Sequence, residues 1–182
     1  SGLSPEGRLL LRGMATCDLF VDLSHLRGPL LEHILGAAPG RRIVSHVVCS
    51  DMLEKSITTR ANEMTEEELL SCEALLYGVP FVDDLLSPRG TVLHERRTSI
   101  TLLAKHIVRM AEIVGIERVA LGPDFFDRQS MQAGGVSIVP GMDRIEGLHR
   151  LRESLLCAGW STSAIDSVFF DNARRVFLME QP

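Results

Sequence analysis

Three short aliphatic runs punctuate the chain, and each stops at a side chain able to bind a metal or carry a proton. Leu19-Phe20-Val21-Asp22-Leu23-Ser24-His25 ends in an imidazole, and Arg42-Ile43-Val44-Ser45-His46 ends in a second. Arg118-Val119-Ala120-Leu121-Gly122-Pro123-Asp124 ends in a carboxylate. Runs of this length read as strands buried on both faces, the kind found in parallel sheets. A fourth strand is predicted over residues 74–82, weakened by Gly78 and Pro80.

Between these runs the apolar spacing turns helical. Ser4 and Pro5 suit an N-cap and a first helical residue, predicting a helix to about Thr16 with Leu9, Leu10 and Met14 on its buried face. Residues 29–35 predict a short helix stopped near Gly36. Thr65 followed by Glu66, Glu67 and Glu68 predicts a capped helix start with its acids at the positive end of the dipole. Residues 99–114 carry the strongest amphipathic pattern, with Leu102, Ile107, Met110 and Val114 as its core stripe and Gly115 as its stop. Residues 144–158 and 161–179 predict two closing helices, the second capped by Ser161. Residues 49–62 read as a polar rim loop, 83–97 as a surface loop, and 125–143 as a glycine-containing loop of the kind that covers an active-site mouth. Alternation of this sort is the βαβ rhythm. It predicts an α/β chain of about four parallel strands with flanking helices, about half of an eight-stranded TIM-like barrel.

Composition then narrows the partners. A chain of 182 residues with 45% apolar content can bury one substantial core. Its net charge of -5 leaves no basic footprint for nucleic acid, and no apolar run approaches the roughly 20 residues that cross a bilayer. Cys17, Cys49, Cys72 and Cys157 are scattered without a C-x-x-C pair. They read as free, buried thiols in a reducing compartment, which points to the cytoplasm; a secreted or membrane-anchored longer form stays open.

Consecutive parallel strands joined by a short crossover deliver their C-terminal ends side by side, so His25, His46 and Asp124 are expected to meet at one rim. Imidazoles with a carboxylate are the donors of hydrolytic metal sites. Each residue alone also has an ordinary reading, since strand-end histidines are often structural and Gly-Pro-Asp is a common turn. Asp22 and Ser24 fall on the strand face opposite Leu23 and His25, as structural groups or as groups that orient a ligand imidazole. Arg60 lies in the polar stretch after the second histidine, either solvated or placed to clamp a substrate carboxylate. His33, His106 and His149 fall on helices and His94 in a loop, all as non-ligands. Asn172 could tie the last helix to neighbouring backbone.

With these elements in order, the chain resembles the membrane (renal) dipeptidase family of metallopeptidases, within the amidohydrolase-type barrels. The matching stretches are Gly2-Leu3-Ser4-Pro5-Glu6-Gly7-Arg8, Val21-Asp22-Leu23-Ser24-His25, Val44-Ser45-His46, the run from Arg118 to Phe125, and Asp171-Asn172-Ala173-Arg174-Arg175-Val176-Phe177. The resemblance implies a (β/α)8 barrel with two zinc ions and hydrolysis of a dipeptide. His25 and His46 would hold the second metal, Asp124 would sit beside the nucleophilic water and the substrate amine, and Arg60 would bind the dipeptide carboxylate.

The departures from the family pattern are specific. The His-x-Asp pair and bridging glutamate that complete the family's metal site would lie upstream of residue 1, and no His-x-Asp occurs in this sequence. Ala61 separates Arg60 from Asn62, where the family places the arginine directly before the asparagine. Asp124-Phe125-Phe126-Asp127-Arg128 is one residue longer than the family's Gly-x-Asp-Phe/Tyr-Asp-Gly. The chain is therefore expected to correspond to the C-terminal half of such an enzyme, inactive without the other half and prone to self-association through its open strand edges. Two other readings stay open: a non-catalytic barrel remnant serving as an interaction module, and an amidohydrolase-type enzyme for another ester or amide.

Overall fold

A computed structural model describes residues 2–37, 40–53, 62–86, 98–125 and 137–178. In chain order its elements begin with α1 (Pro5–Thr16), β1 (Val21–Asp22), α2 (Gly28–Ala37), β2 (Arg42–Ile43) and β3 (Val48–Cys49). A 3₁₀ turn (Ser50–Met52) precedes β4 (Glu63–Met64), α3 (Glu66–Cys72), β5 (Tyr77–Val79), α4 (Asp83–Leu86), α5 (Ile100–Val114) and β6 (Val119–Leu121). The chain closes with α6 (Gly147–Cys157), α7 (Thr162–Asp166), a π turn (Ser167–Asp171) and α8 (Asn172–Phe177).

Among the described residues the named strands pair in parallel, and one isolated antiparallel bridge joins Val82 to Ile138. β1 pairs with β2, β5 with β6, and Val44 just beyond β2 bridges to Tyr77 at the start of β5, linking them in the order β1-β2-β5-β6. The ladder strands are only two or three residues long, shorter than the aliphatic runs predict. β3 and β4 form a further parallel pair at the two ends of the stretch read from sequence as a rim loop. These two strands bound that stretch and are additions to the sequence reading: Val48, Cys49, Glu63 and Met64 are all buried, and Glu63 hides the strand because a buried carboxylate looks like a loop residue in a pattern search. The architecture is α/β with small sheets.

The helices start where their caps dictate. Ser4 accepts from the Gly7 amide at 3.1 Å, and Ser99 from the Leu102 amide at 3.1 Å. Thr65 and Glu68 form a reciprocal capping box, while the other carboxylate oxygen of Glu68 accepts from the Gly28 amide at 3.3 Å and so joins the start of α2 to α3. Arg109 pairs with Asp51 at 2.6 Å and Glu66 at 2.7 Å, tying the 3₁₀ turn and α3 to α5. Three expectations need correction. α1 buries Leu11 and packs Met14 against the core, with Leu3 just ahead of the helix, leaving Leu9 and Leu10 exposed. The last helix is broken by the π turn, and the predicted surface loop opens with α4, whose Asp83 is buried and accepts from the Thr98 amide at 2.6 Å. All four cysteines are free, Cys49 and Cys72 buried as expected, Cys17 and Cys157 exposed. No helix among the described residues is long and apolar enough to cross a membrane.

α5 is the central helix of the core, burying Leu103, Ala104, Ile107, Met110 and Val114. It also buries His106, which donates from Nε2 to the Leu86 carbonyl at 3.2 Å while Nδ1 finds no partner among the described residues. Burial lowers the His106 pKa from 6.5 to about 4, against a smaller opposing pull from the Leu86 hydrogen bond. The unfolded chain therefore takes up this proton first, so stability is full above pH 6.5 and declines as pH falls through 6.5 towards 4. In urea titrations, the wild type is expected to lose about 3 kcal/mol more than a His106→Gln variant between neutral pH and acid. Parallel losses in both chains would refute this assignment.

Candidate metal centre

β1 and β2 end at one rim and bring two imidazoles into contact. His25 Nε2 and His46 Nε2 lie 2.9 Å apart, with the rings edge to face at a centroid distance of 4.8 Å. Asp124, beyond β6, places Oδ2 3.8 Å from His46 Nε2. The three site residues expected at strand ends thus come together. Their backbones were not foreseen: His25 has φ 65° and Asp124 φ 55°. Strand alternation therefore stops at Leu23 and Pro123, and a left-handed turn sets the direction of the His25 and Asp124 side chains. Histidine and aspartate tolerate that conformation better than most residues, and such outliers cluster at functional sites.

His46 is held from behind. Asp22 Oδ1 accepts from the backbone amides of Ser24 and Ser45, each at 3.0 Å, and from the Ser24 hydroxyl at 2.8 Å. Its Oδ2 takes the Ser45 hydroxyl at 2.6 Å, and Ser45 Oγ lies 2.8 Å from His46 Nδ1. Ser24 Oγ accepts from the His46 amide at 3.2 Å. Partial desolvation pushes the Asp22 carboxyl upward, but these hydrogen bonds more than offset it and hold the group below the usual carboxylate range. The expectation that Asp22 and Ser24 orient a ligand imidazole thus has a physical route, through Ser45, which sequence reasoning did not single out.

The backbone carbonyl of Ser45 is wedged against Gly78 in β5 and Gly122 after β6; a Cβ at either glycine would collide with its oxygen. Gly78, which weakens the strand in a pattern search, is what lets β2 approach. A glycine inside a strand often marks such a close approach, and that was the available signal. On the opposite end of β6, Asn172 donates from Nδ2 to the carbonyls of Ile116 at 2.7 Å and Val119 at 2.8 Å, the anchoring expected of it. Arg60 and His94 lie outside the described residues. His33 and His149 are on α2 and α6, away from the rim pair in sequence and element.

Among the described residues, no group of three or more His, Cys, Asp or Glu side chains is arranged to hold a metal ion. The histidine pair nevertheless fits part of such a site. Two nitrogen donors converge, and His46 Nδ1 already has the second hydrogen-bonding contact that metal-ligating imidazoles ordinarily make. Catalytic zinc ordinarily takes three protein ligands, so this pair needs a further donor.

Histidines and an aspartate gathered at the ends of parallel strands are a donor set that hydrolytic metal sites use, and comparison with known proteins gives the family. The sequence profile of the membrane dipeptidase family, peptidase family M19, matches residues 1–181. The chain belongs to this family. It is 23% identical over 175 residues to the dipeptidase verJ of Clonostachys rogersoniana, covering 96% of this chain and 41% of that protein. It is 24% identical over 180 residues to an uncharacterized dipeptidase of Schizosaccharomyces pombe, covering 97% of this chain and 40% of that protein. Among solved structures it resembles a metallopeptidase from Rhodobacter sphaeroides liganded with a phosphinate mimic of L-Ala-D-Ala, with a TM-score of 0.77 at 19% identity, over 95% of this chain and 46% of that one. The crystal structure of a dipeptidase of family M19 matches with the same TM-score of 0.77 and 19% identity, over 95% of this chain and 47% of that one. The chain thus spans less than half the length of these relatives.

Gly122→Ala is expected to push the Ser45 carbonyl away and carry His46 with it. Overpacking of this kind costs roughly 1–3 kcal/mol, measurable as a lowered melting temperature, and it should abolish the ring-to-ring contacts between His25 and His46 in NMR spectra. A variant that keeps both would show that the wedge does not position the site.

Proposed function

We propose that this chain contributes one side of a zinc-dependent dipeptidase site. The observation that carries the reading is the convergence of His25, His46 and Asp124 at the ends of neighbouring parallel strands, within a chain of family M19. His25 and His46 would hold metal. The complete family site is expected to take two zinc ions, of which these residues hold at most one in part. When bound, zinc supplies Lewis acidity, polarising the scissile carbonyl and making water nucleophilic at neutral pH. Asp124, as a carboxylate beside His46, would accept the proton released when water attacks the carbonyl and pass it to the amine that leaves as the peptide bond breaks. Arg60 is assigned to the carboxylate of the dipeptide, where a guanidinium can form two parallel hydrogen bonds.

In this reading the run β1-β2-β5-β6 is part of a (β/α)8 barrel. Among the described residues no strand pairs with the outer side of β1 or β6. Such edges recruit further strands, so the partner that completes the sheet is a complementary barrel half or a second copy of this chain. Sedimentation of the 182-residue chain alone is expected to show self-association; a monodisperse monomer with one cooperative melt would count against the open-edge reading.

Zinc content and dipeptide hydrolysis, measured on this chain and on any longer natural form that carries it, test the catalytic part. His25→Ala and His46→Ala are each expected to lose zinc and to lower hydrolysis by about 100-fold or more. Asp124→Asn should keep its zinc and lower kcat by about 10²–10⁴. Zinc retained in full by both histidine variants would overturn the assignment.

A further inference from the structure

The hydroxyl of Ser45 carries one hydrogen and stands between Asp22 Oδ2 at 2.6 Å and His46 Nδ1 at 2.8 Å. Ser24 Oγ, 3.1 Å away, makes no claim on that hydrogen, because Ser24 gives its own to Asp22 Oδ1 and its oxygen already accepts from the His46 amide. An ionised carboxylate can only accept. Ser45 therefore donates to Asp22, and its oxygen must accept from His46 Nδ1–H. Counting hydrogens in this way fixes the tautomer: His46 keeps its proton on Nδ1 and turns a lone pair outward on Nε2.

That lone pair faces His25 Nε2 at 2.9 Å. Two lone pairs would repel at this distance, so His25 carries its proton on Nε2 and donates to His46. Nothing among the described residues hydrogen-bonds His25 Nδ1, and His25 is exposed in its left-handed turn. The pair is thus asymmetric: one imidazole is fixed from behind and the other is free to exchange its proton with water.

We propose that Asp22 is a positioning residue that acts through Ser45 to hold His46 as a ready nitrogen donor, with His25 as the adaptable partner. Before both Nε2 atoms can hold one cation, His25 loses its proton from Nε2 to water and gains one from water on Nδ1, with no net change in charge. This last step rests on the metal-site reading above, whereas the opposite tautomers do not.

Long-range ¹H–¹⁵N spectra of the metal-free 182-residue chain, taken above the pH range in which histidine titrates, read the tautomers directly. Loss of signals in His25→Gln and His46→Gln supplies the assignment. The expected result is protonation of His46 on Nδ1 and of His25 on Nε2. Asp22→Asn should invert His46: two backbone amides point at Oδ1, so the new side-chain oxygen must sit there and the NH₂ must face Ser45, which then donates its hydroxyl hydrogen to His46 Nδ1. Ser45→Thr keeps a hydroxyl and should retain the wild-type pattern. Zinc titration should show about 10- to 100-fold weaker binding in Asp22→Asn and little change in Ser45→Thr.

Wild-type His46 protonated on Nε2, or an unchanged His46 in a folded Asp22→Asn chain, would overturn the proposal. Should Asp22→Asn not fold, the wild-type and Ser45→Thr spectra still decide it, because a collapsed relay would leave both histidines in mixed tautomers. Tautomers as expected in a wild-type chain that binds no zinc would end the metal-site reading while upholding the action of Asp22 on His46.

Discussion

The placement of His46 depends on a backbone contact: the Ser45 carbonyl fills the notch left by Gly78 and Gly122. Around it the main-chain bonds knit β2 to β5 and β5 to β6, with Gly78 N to Val44 O at 2.7 Å, Val47 N to Gly78 O at 2.8 Å and Gly122 N to Val79 O at 3.0 Å. A side chain at either glycine would force the strands apart at the very residue that precedes the imidazole. The chemistry at the rim is in this sense set by the absence of two Cβ atoms one layer below it. The Asp22 network then works on a backbone already fixed, orienting a ring that the strands have delivered.

The supporting elements reach the rim by short routes. Asn172 fastens the start of β6 to the closing helix, and two residues of β6 and a Gly-Pro turn further on the same strand presents Asp124. Glu68 serves two helices at once, closing the capping box of α3 with one oxygen and receiving the first amide of α2 with the other. α2 is the crossover between the two histidine strands, so the box that starts α3 also helps to set where β2 begins. Tyr77 anchors the same region from below, donating to the Leu69 carbonyl at 2.7 Å and accepting from the Ala74 amide at 3.0 Å.

The sequence made the ends of the strands legible because aliphatic runs that stop at His25, His46 and Asp124 combine a packing signal with a chemical one. Helix starts at Ser4, Thr65 and Ser99 were legible for a similar reason, since the capping oxygen is local to the residues it serves. Non-local features were hidden. β3 and β4 are two-residue strands whose partners lie far apart in sequence, Val48 against Glu63 and Cys49 against Met64, and buried Glu63 gives them a polar look. Leu9 and Leu10 matched a helical stripe as well as Leu11 does, and only the neighbouring elements decide which of them faces the core. The role of Ser45 was invisible because it arises from a carboxylate 23 residues away. Glycine within a strand reads as weakness in sequence, although in Gly78 it records the close approach of a second backbone.

The left-handed backbone at His25 and Asp124 limits how this rim can be rebuilt. A side chain branched at Cβ is strained at such an angle, and a typical non-glycine residue gives up roughly 1–2 kcal/mol there. Exchanges among histidine, aspartate and asparagine leave the turns intact, whereas threonine or valine would contest the turn itself before any question of ligand chemistry arose. The repertoire of donors open to this mouth is thus narrowed in advance by torsion angles, and any redesign of its specificity has to begin with the main chain.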